Sequence, residues 1–239
     1  MHHESAQRME RNQLKNQDGV SQFIAKWSIY FIGLLIMSLG IVLTIKAGFG
    51  ASPWDVLHIG LFQQLGLTIG TWSVIVGIVI LATSSLLTKR LPLLGAFLNM
   101  ISVGIFIDMY MLLPFLKTPD FVYGKIIMLL VGIIINGYGM GLYISAKCGA
   151  GPRDSLMMAL TEKTGWKVSY IRSCMEVIVL FFGWLLGGPV FIGTIIYSIL
   201  IGNIAGYALP QCFAFTEHII KRLGRQTHKT IHEVNHFSN

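Results

Sequence analysis

Two aspartates, Asp55 and Asp154, hold the same position in a stretch that this chain writes twice, each among long apolar runs where a carboxylate is costly to keep. Gly50-Ala51-Ser52-Pro53-Trp54-Asp55-Val56-Leu57 recurs as Gly149-Ala150-Gly151-Pro152-Arg153-Asp154-Ser155-Leu156, at an offset of 99 residues. Each copy reads as a helix start. Ser52 or Gly151 stands at the N-cap and Pro53 or Pro152 at the first helical position. The acid is third, where its carboxylate reaches back toward the N-cap amide. Gly48 and Gly50 in one copy, Gly149 and Gly151 in the other, allow backbone conformations closed to other residues, as a chain that stops and turns back requires. Two roles suit such acids. They cap buried helix starts, or they bind a cation or proton, or orient a polar solute; the roles are compatible. The candidate site is therefore Asp55 and Asp154 with Ser52, Trp54 and Arg153 beside them, and Gly50, Pro53, Gly149, Gly151 and Pro152 shape the turn.

Other residues carry weaker signals. Asp108 lies in Gly104-Ile105-Phe106-Ile107-Asp108 and joins the candidates, although an acid near a span end also reaches the interface. Glu176 follows Arg172 by one helical turn, a spacing that suits a local ion pair. His58 reads as a packing residue or a cavity-facing one. Cys148, Cys174 and Cys212 show no metal-ligand spacing and read as packing residues. There is no Gly-x-x-x-x-Gly-Lys-Ser/Thr, no His-Glu-x-x-His and no Gly-x-Ser-x-Gly, so neither an enzyme nor a cofactor is expected.

The elements that position these residues are membrane helices. Of 239 residues, 54% are hydrophobic and 12% charged, about half the charge of an ordinary soluble domain. Mean hydropathy is +0.66. The net charge of +7 comes from tails and loops between apolar runs, with no basic face, which argues against nucleic acid as a partner. Residues 1–23 are polar and aperiodic and are expected to form a disordered cytoplasmic tail; residues 213–239 form a basic one. Runs long enough to cross about 30 Å of hydrocarbon appear at roughly 24–47, 67–88, 91–116, 121–146, 168–188 and 190–212. The first is too long for a signal-peptide core and is read as an uncleaved span. Ala51–Leu65 and Gly151–Thr164 are too short and too polar to cross, and read as re-entrant or interfacial half-helices.

Charge decides between six spans and eight. With six spans and a cytoplasmic N-terminus, only Lys46, Lys117 and Lys125 of the 18 basic residues fall outside, a strong positive-inside bias. Both termini are then cytoplasmic. Between 33–66 and 132–165, 13 of 34 positions agree without a gap, and Gly95 and Gly104 are echoed by Gly193 and Gly202. An odd number of crossings separates equivalent positions, so the halves have opposite orientation. The expected fold is an all-α integral membrane protein with about six transmembrane helices. They form two inverted three-helix repeats, 24–116 and 117–212, each with a half-helix.

The Gly-Ala-Ser-Pro-Trp-Asp stretch, Gly-Leu-Thr-Ile-Gly-Thr-Trp-Ser at 66–73, Gly-Ala-Gly-Pro-Arg-Asp and the Gly-Thr at 193–194 resemble the bacterial YczE family, grouped with YyaS and YitT membrane proteins. The resemblance covers about 24–212. Asn203-Ile204-Ala205-Gly206 departs from it, lacking the acid of the usual Ile-Gly-x-x-Ile-Asp pattern. The resemblance implies a polytopic protein of the bacterial inner membrane and supplies no substrate. Its partners are then the lipid bilayer and an unidentified small solute or ion, with a homo-oligomer left open. The architecture itself points to a small secondary transporter with a mid-membrane site between the half-helices. The alternative is a non-transporting membrane factor that binds or assembles a partner.

Overall fold

A computed structural model describes the backbone over His2–Phe237 and the side chains over residues 19–223. Among the described residues eight helices follow one another: α1 (His2–Lys46), α2 (Pro53–Leu65), α3 (Ile69–Thr88), α4 (Leu94–Met111), α5 (Val122–Ser145), α6 (Pro152–Thr164), α7 (Val168–Leu185) and α8 (Ile192–Phe237). Among the described residues there is no strand. Six of the helices are long and apolar enough to cross a membrane, with spans Gly19–Lys46, Ile69–Thr88, Leu94–Met111, Val122–Ser145, Val168–Leu185 and Ile192–Leu223. The two short helices are α2 and α6, as expected from length. Both begin in the protein interior, at buried Pro53 and Pro152, and end at an exposed surface around Leu65 and Thr164.

The helix ends differ from the sequence expectation. The 1–23 segment, expected to be disordered, is helical from His2 as part of α1, and α8 runs on to Phe237. Extending an existing helix adds one hydrogen bond per residue and needs no new nucleus. The side chains of 2–18 and 224–237 lie outside the described residues. Pro114 follows the end of α4, but Pro210 sits inside α8.

The centre of the molecule is the α1–α5 crossing, and small residues set it. A Cβ on Gly33 would stand 3.0 Å from the Gly139 carbonyl, and one on Gly40 would stand 2.7 Å from that of Gly132. The helices are therefore antiparallel and in backbone contact, which membrane interiors favour because packing, not hydrophobicity, holds helices together there. Tyr30, fully buried on α1, donates to the Gly95 carbonyl of α4 at 2.6 Å. Outside this pair, α4 lies against α1 and α8 against α5, while α2 packs on α7 and α6 on α3.

The turns that launch the half-helices wedge into the other helices. Gly193 of α8 donates its amide to Phe49 at 2.9 Å, and a Cβ on Gly95 of α4 would sit 2.1 Å from the Cys148 carbonyl. Gly50 (φ 121°) and Gly149 (φ 147°) occupy backbone that L side chains rarely adopt, as the pattern suggested. Gly151 does not: its φ is −66°, and what matters there is size, since a Cβ would meet Asn99 Oδ1 at 3.2 Å.

The halves differ most in how their outer helices pack. On one side α3 lies along α4, with Gly70 against Gly104. On the other, α7 packs on α2 and more lightly on α6, with no comparable interface to α8. Gly202 and Gly206 of α8 have nothing within 4 Å of where a Cβ would be.

Candidate functional site

Ser52 caps α2, accepting the Asp55 amide at 3.2 Å, and its hydroxyl donates to Asp55 Oδ2 at 2.5 Å. The carboxylate thus takes the cap's hydroxyl and not the N-cap amide expected from the sequence. Asp55 and His58, one helical turn apart, are each 1% exposed. His58 Nδ1 stands 3.8 Å from Asp55 Oδ1, too far for a hydrogen bond, and neither atom has another partner. On α6 the cap is glycine, so Asp154 is held from elsewhere: Tyr143 of α5 donates to its Oδ2 at 3.0 Å. Trp54 and Arg153, equivalent in the two copies, meet, with the guanidinium 4.7 Å from the ring centroid.

Around this contact lies a cavity of about 150 Å³ to which all eight helices contribute. Asn136 of α5 donates to the Tyr197 hydroxyl of α8 at 2.8 Å, and Arg172 pairs with Glu176 on α7 at 3.0 Å. Asn99 Nδ2, on α4, has no partner. An unpaired buried polar atom costs about 1–3 kcal/mol. Asp55 Oδ1, His58 Nδ1 and Asn99 Nδ2 are three such atoms, on residues that line the cavity.

The structure brings Ser52, Pro53, Trp54, Asp55, Arg153 and Asp154 to the same cavity, with Gly151 and Pro152 beside them. Gly50 and Gly149 lie behind it in the turns against α8 and α4. Asp108 is elsewhere. It crosses to the start of α3, accepting the Gly70 amide at 2.9 Å and the Thr68 hydroxyl at 2.6 Å, a cap supplied by a neighbouring helix. Asn99, Asn136, Tyr143 and Tyr197 escaped the sequence reading. Their signal was a polar group inside an apolar run.

Fold and cavity together define a polytopic helical membrane protein with a largely apolar chamber, set with a few polar groups, beside two half-helices. Residues 24–210 match a family of unknown function (DUF6198), and the chain belongs to this family of YczE/YyaS-type membrane proteins. It is 46% identical over 203 residues to the uncharacterized membrane protein YczE of Bacillus subtilis strain 168, covering 84% of this chain and 93% of that protein. It is 30% identical over 188 residues to the uncharacterized protein YyaS of the same organism, covering 77% and 92%. An uncharacterized protein of Haemophilus influenzae is 32% identical over 182 residues, covering 76% and 82%. No solved structure matches the chain.

Proposed function

We propose that this protein is a small secondary carrier, not an enzyme, in the bacterial cell membrane with both termini in the cytoplasm. The observation that carries this is the cavity where the N-terminal ends of α2 and α6 meet, with a buried carboxylate oxygen of Asp55 left without a partner. Interrupted helices at mid-membrane are the recurrent place for solute and ion sites in carriers.

Two further features support the reading. The repeat, offset by 99 residues and by 98 from Gly95 onward, exchanges the main contacts. Gly33 against Gly139 becomes Gly132 against Gly40, and Gly95 against Cys148 becomes Gly193 against Phe49. That is the relation expected of inverted repeats about an axis in the membrane plane. The halves also sit in different arrangements, α3 closed on α4 and α7 away from α8. Exchanging these arrangements would open the chamber to the opposite side, with the exposed Gly202–Gly206 face of α8 receiving α7 as Gly104 receives α3.

The test begins with a thermal-shift screen of the purified protein against alkali-metal ions, amino acids, organic acids and small amphipathic cations. A ligand of the native state at 100 times its Kd adds about 2.7 kcal/mol of stability. The stabilising compound is then offered, labelled, to proteoliposomes. Asp55→Asn and Asp154→Asn keep the shape of the side chains and remove the charge. Loss of uptake in both, with melting of the unliganded proteins unchanged, is the expected result. Binding without uptake above empty liposomes sinks the carrier reading, and normal uptake by both variants removes the site.

A further inference from the structure

Of the charged groups around the cavity, the acids Asp55 and Asp154 and the base Arg153 have no partner of opposite charge within 4 Å, apart from His58 beside Asp55. Arg172 and Glu176 neutralise each other, and Asp154 is held by Tyr143. Asp55 keeps one oxygen with no partner. Arg153 is its counterpart: among the described residues no carboxylate oxygen lies within 4 Å of its guanidinium, and its N–H donors meet no acceptor. One face of that guanidinium is covered by Trp54, the residue next to Asp55, so Asp55 and Arg153 share one corner of the chamber.

We propose that the cavity takes a small zwitterion bearing an ammonium and a carboxylate on one apolar body, the pattern of a free α-amino acid with a hydrophobic side chain. The inference rests on reading this cavity as the solute site and names the class of solute. The ammonium has three donors. Asp55 Oδ1 and His58 Nδ1, 3.8 Å apart and both shut from solvent in this structure, are near enough for one nitrogen to bridge with bonds of about 2.9 Å once the side chains turn toward the chamber, given the imidazole tautomer protonated on Nε2. The carboxylate takes the free edge of Arg153, whose planar fork suits two parallel N–H···O bonds. It also lies among the helix N-termini, whose partial positive charge favours an anion.

The apolar body fits what remains. Met37, Met100, Met140, Met157 and Met175 all line the chamber, and methionine fills irregular space without imposing a shape. A simple cation would leave Arg153 unpaired and facing a like charge, and a simple anion would stand against Asp55 and Asp154. A solute of both signs answers Asp55 and Arg153 together and leaves Asp154 to its bond from Tyr143.

The experiment uses the full chain in detergent and three probes of similar bulk: L-leucine, 3-methylbutylamine, which lacks the carboxylate, and 4-methylpentanoate, which lacks the ammonium. Thermal shift read against concentration should show leucine binding at least tenfold more tightly than either of the others. Asp55→Asn should weaken leucine and the amine but spare 4-methylpentanoate. Arg153→Gln should weaken leucine and 4-methylpentanoate but spare the amine, and Arg153→Lys should recover part of the leucine response. If a variant does not fold, the comparison of the three probes on the natural protein decides alone. The inference is overturned if either single-charge probe binds as tightly as leucine. It is equally overturned if neither leucine nor alanine, methionine or phenylalanine shifts the melt. Uptake of some other solute would in that case leave the carrier reading standing. Leucine binding without uptake would do the reverse.

Discussion

Replacing Gly40 by alanine tests the central seam directly. The new Cβ would stand 2.4 Å from the Asn136 amide nitrogen, 2.7 Å from its Cα and 2.7 Å from the Gly132 carbonyl oxygen. Ordinary contact begins near 3.4 Å, and all three atoms are backbone, so no side chain can swing aside. Relief requires α1 and α5 to part by roughly 1 Å, and overpacking of this kind costs about 1–3 kcal/mol. Alanine's helix preference over glycine returns roughly 0.5–1 kcal/mol. At about 2–4 °C per kcal/mol for a chain of this size, the net loss should lower Tm by a few degrees. The control is Gly202→Ala, where nothing lies within 4 Å and only the helix preference remains. Its Tm should equal or exceed that of the natural protein. Melting in one detergent, followed by thiol-reactive dye or by circular dichroism, measures both. The reasoning fails if Gly40→Ala melts with the natural protein, or if Gly202→Ala falls as far.

Two other outcomes follow from the structure. Asp108→Ala should lower stability by about 1–2 kcal/mol, the cost of a lost helix cap, while leaving ligand-induced stabilisation intact, because Asp108 does not line the cavity; a melt unchanged from the natural protein would refute the capping role. Orientation is read by membrane-impermeant maleimide in intact cells. Thr118→Cys should label and Lys163→Cys should not, both positions being exposed in the structure. The background replaces Cys174, which is exposed, as well as Cys212 and Cys148, whose thiol burial pushes up. Labelling in the opposite pattern would reverse the assigned topology.

Much of this protein is legible in its sequence because the bilayer is a simple solvent. A span must hide its backbone and present about 20 apolar residues, so six such runs mark six helices. The 13-residue α2 and α6 are equally plain, being too short to cross and opened by Ser52-Pro53 and Gly151-Pro152. The duplicated Asp55 and Asp154 mark the candidate site for the same reason, since an acid among apolar runs needs a local cause.

What required tertiary structure is everything that depends on a partner distant in the chain. Asp55 and Asp154 look alike in their motifs, yet one takes its own Ser52 and the other Tyr143 of a different helix, because a glycine cap has no hydroxyl to give. Asp108 and Asp55 are both acids near apolar runs, and nothing local says that one caps a neighbouring helix while the other faces a cavity. Asn99, Asn136 and Tyr197 are single polar groups in apolar helices, and which side of the helix each occupies matters only once α4, α5 and α8 are placed. Lys147, left-handed at φ 56°, shows the same limit, for it sits where the other copy has Gly48 at φ 61°. The turn is imposed by packing against α4, and the residue type records only whether it comes easily. The chain's own pattern thus determines its helices and its duplicated motif; the crossing of α1 and α5, through contacts between residues a hundred positions apart, decides which of its polar groups face one another.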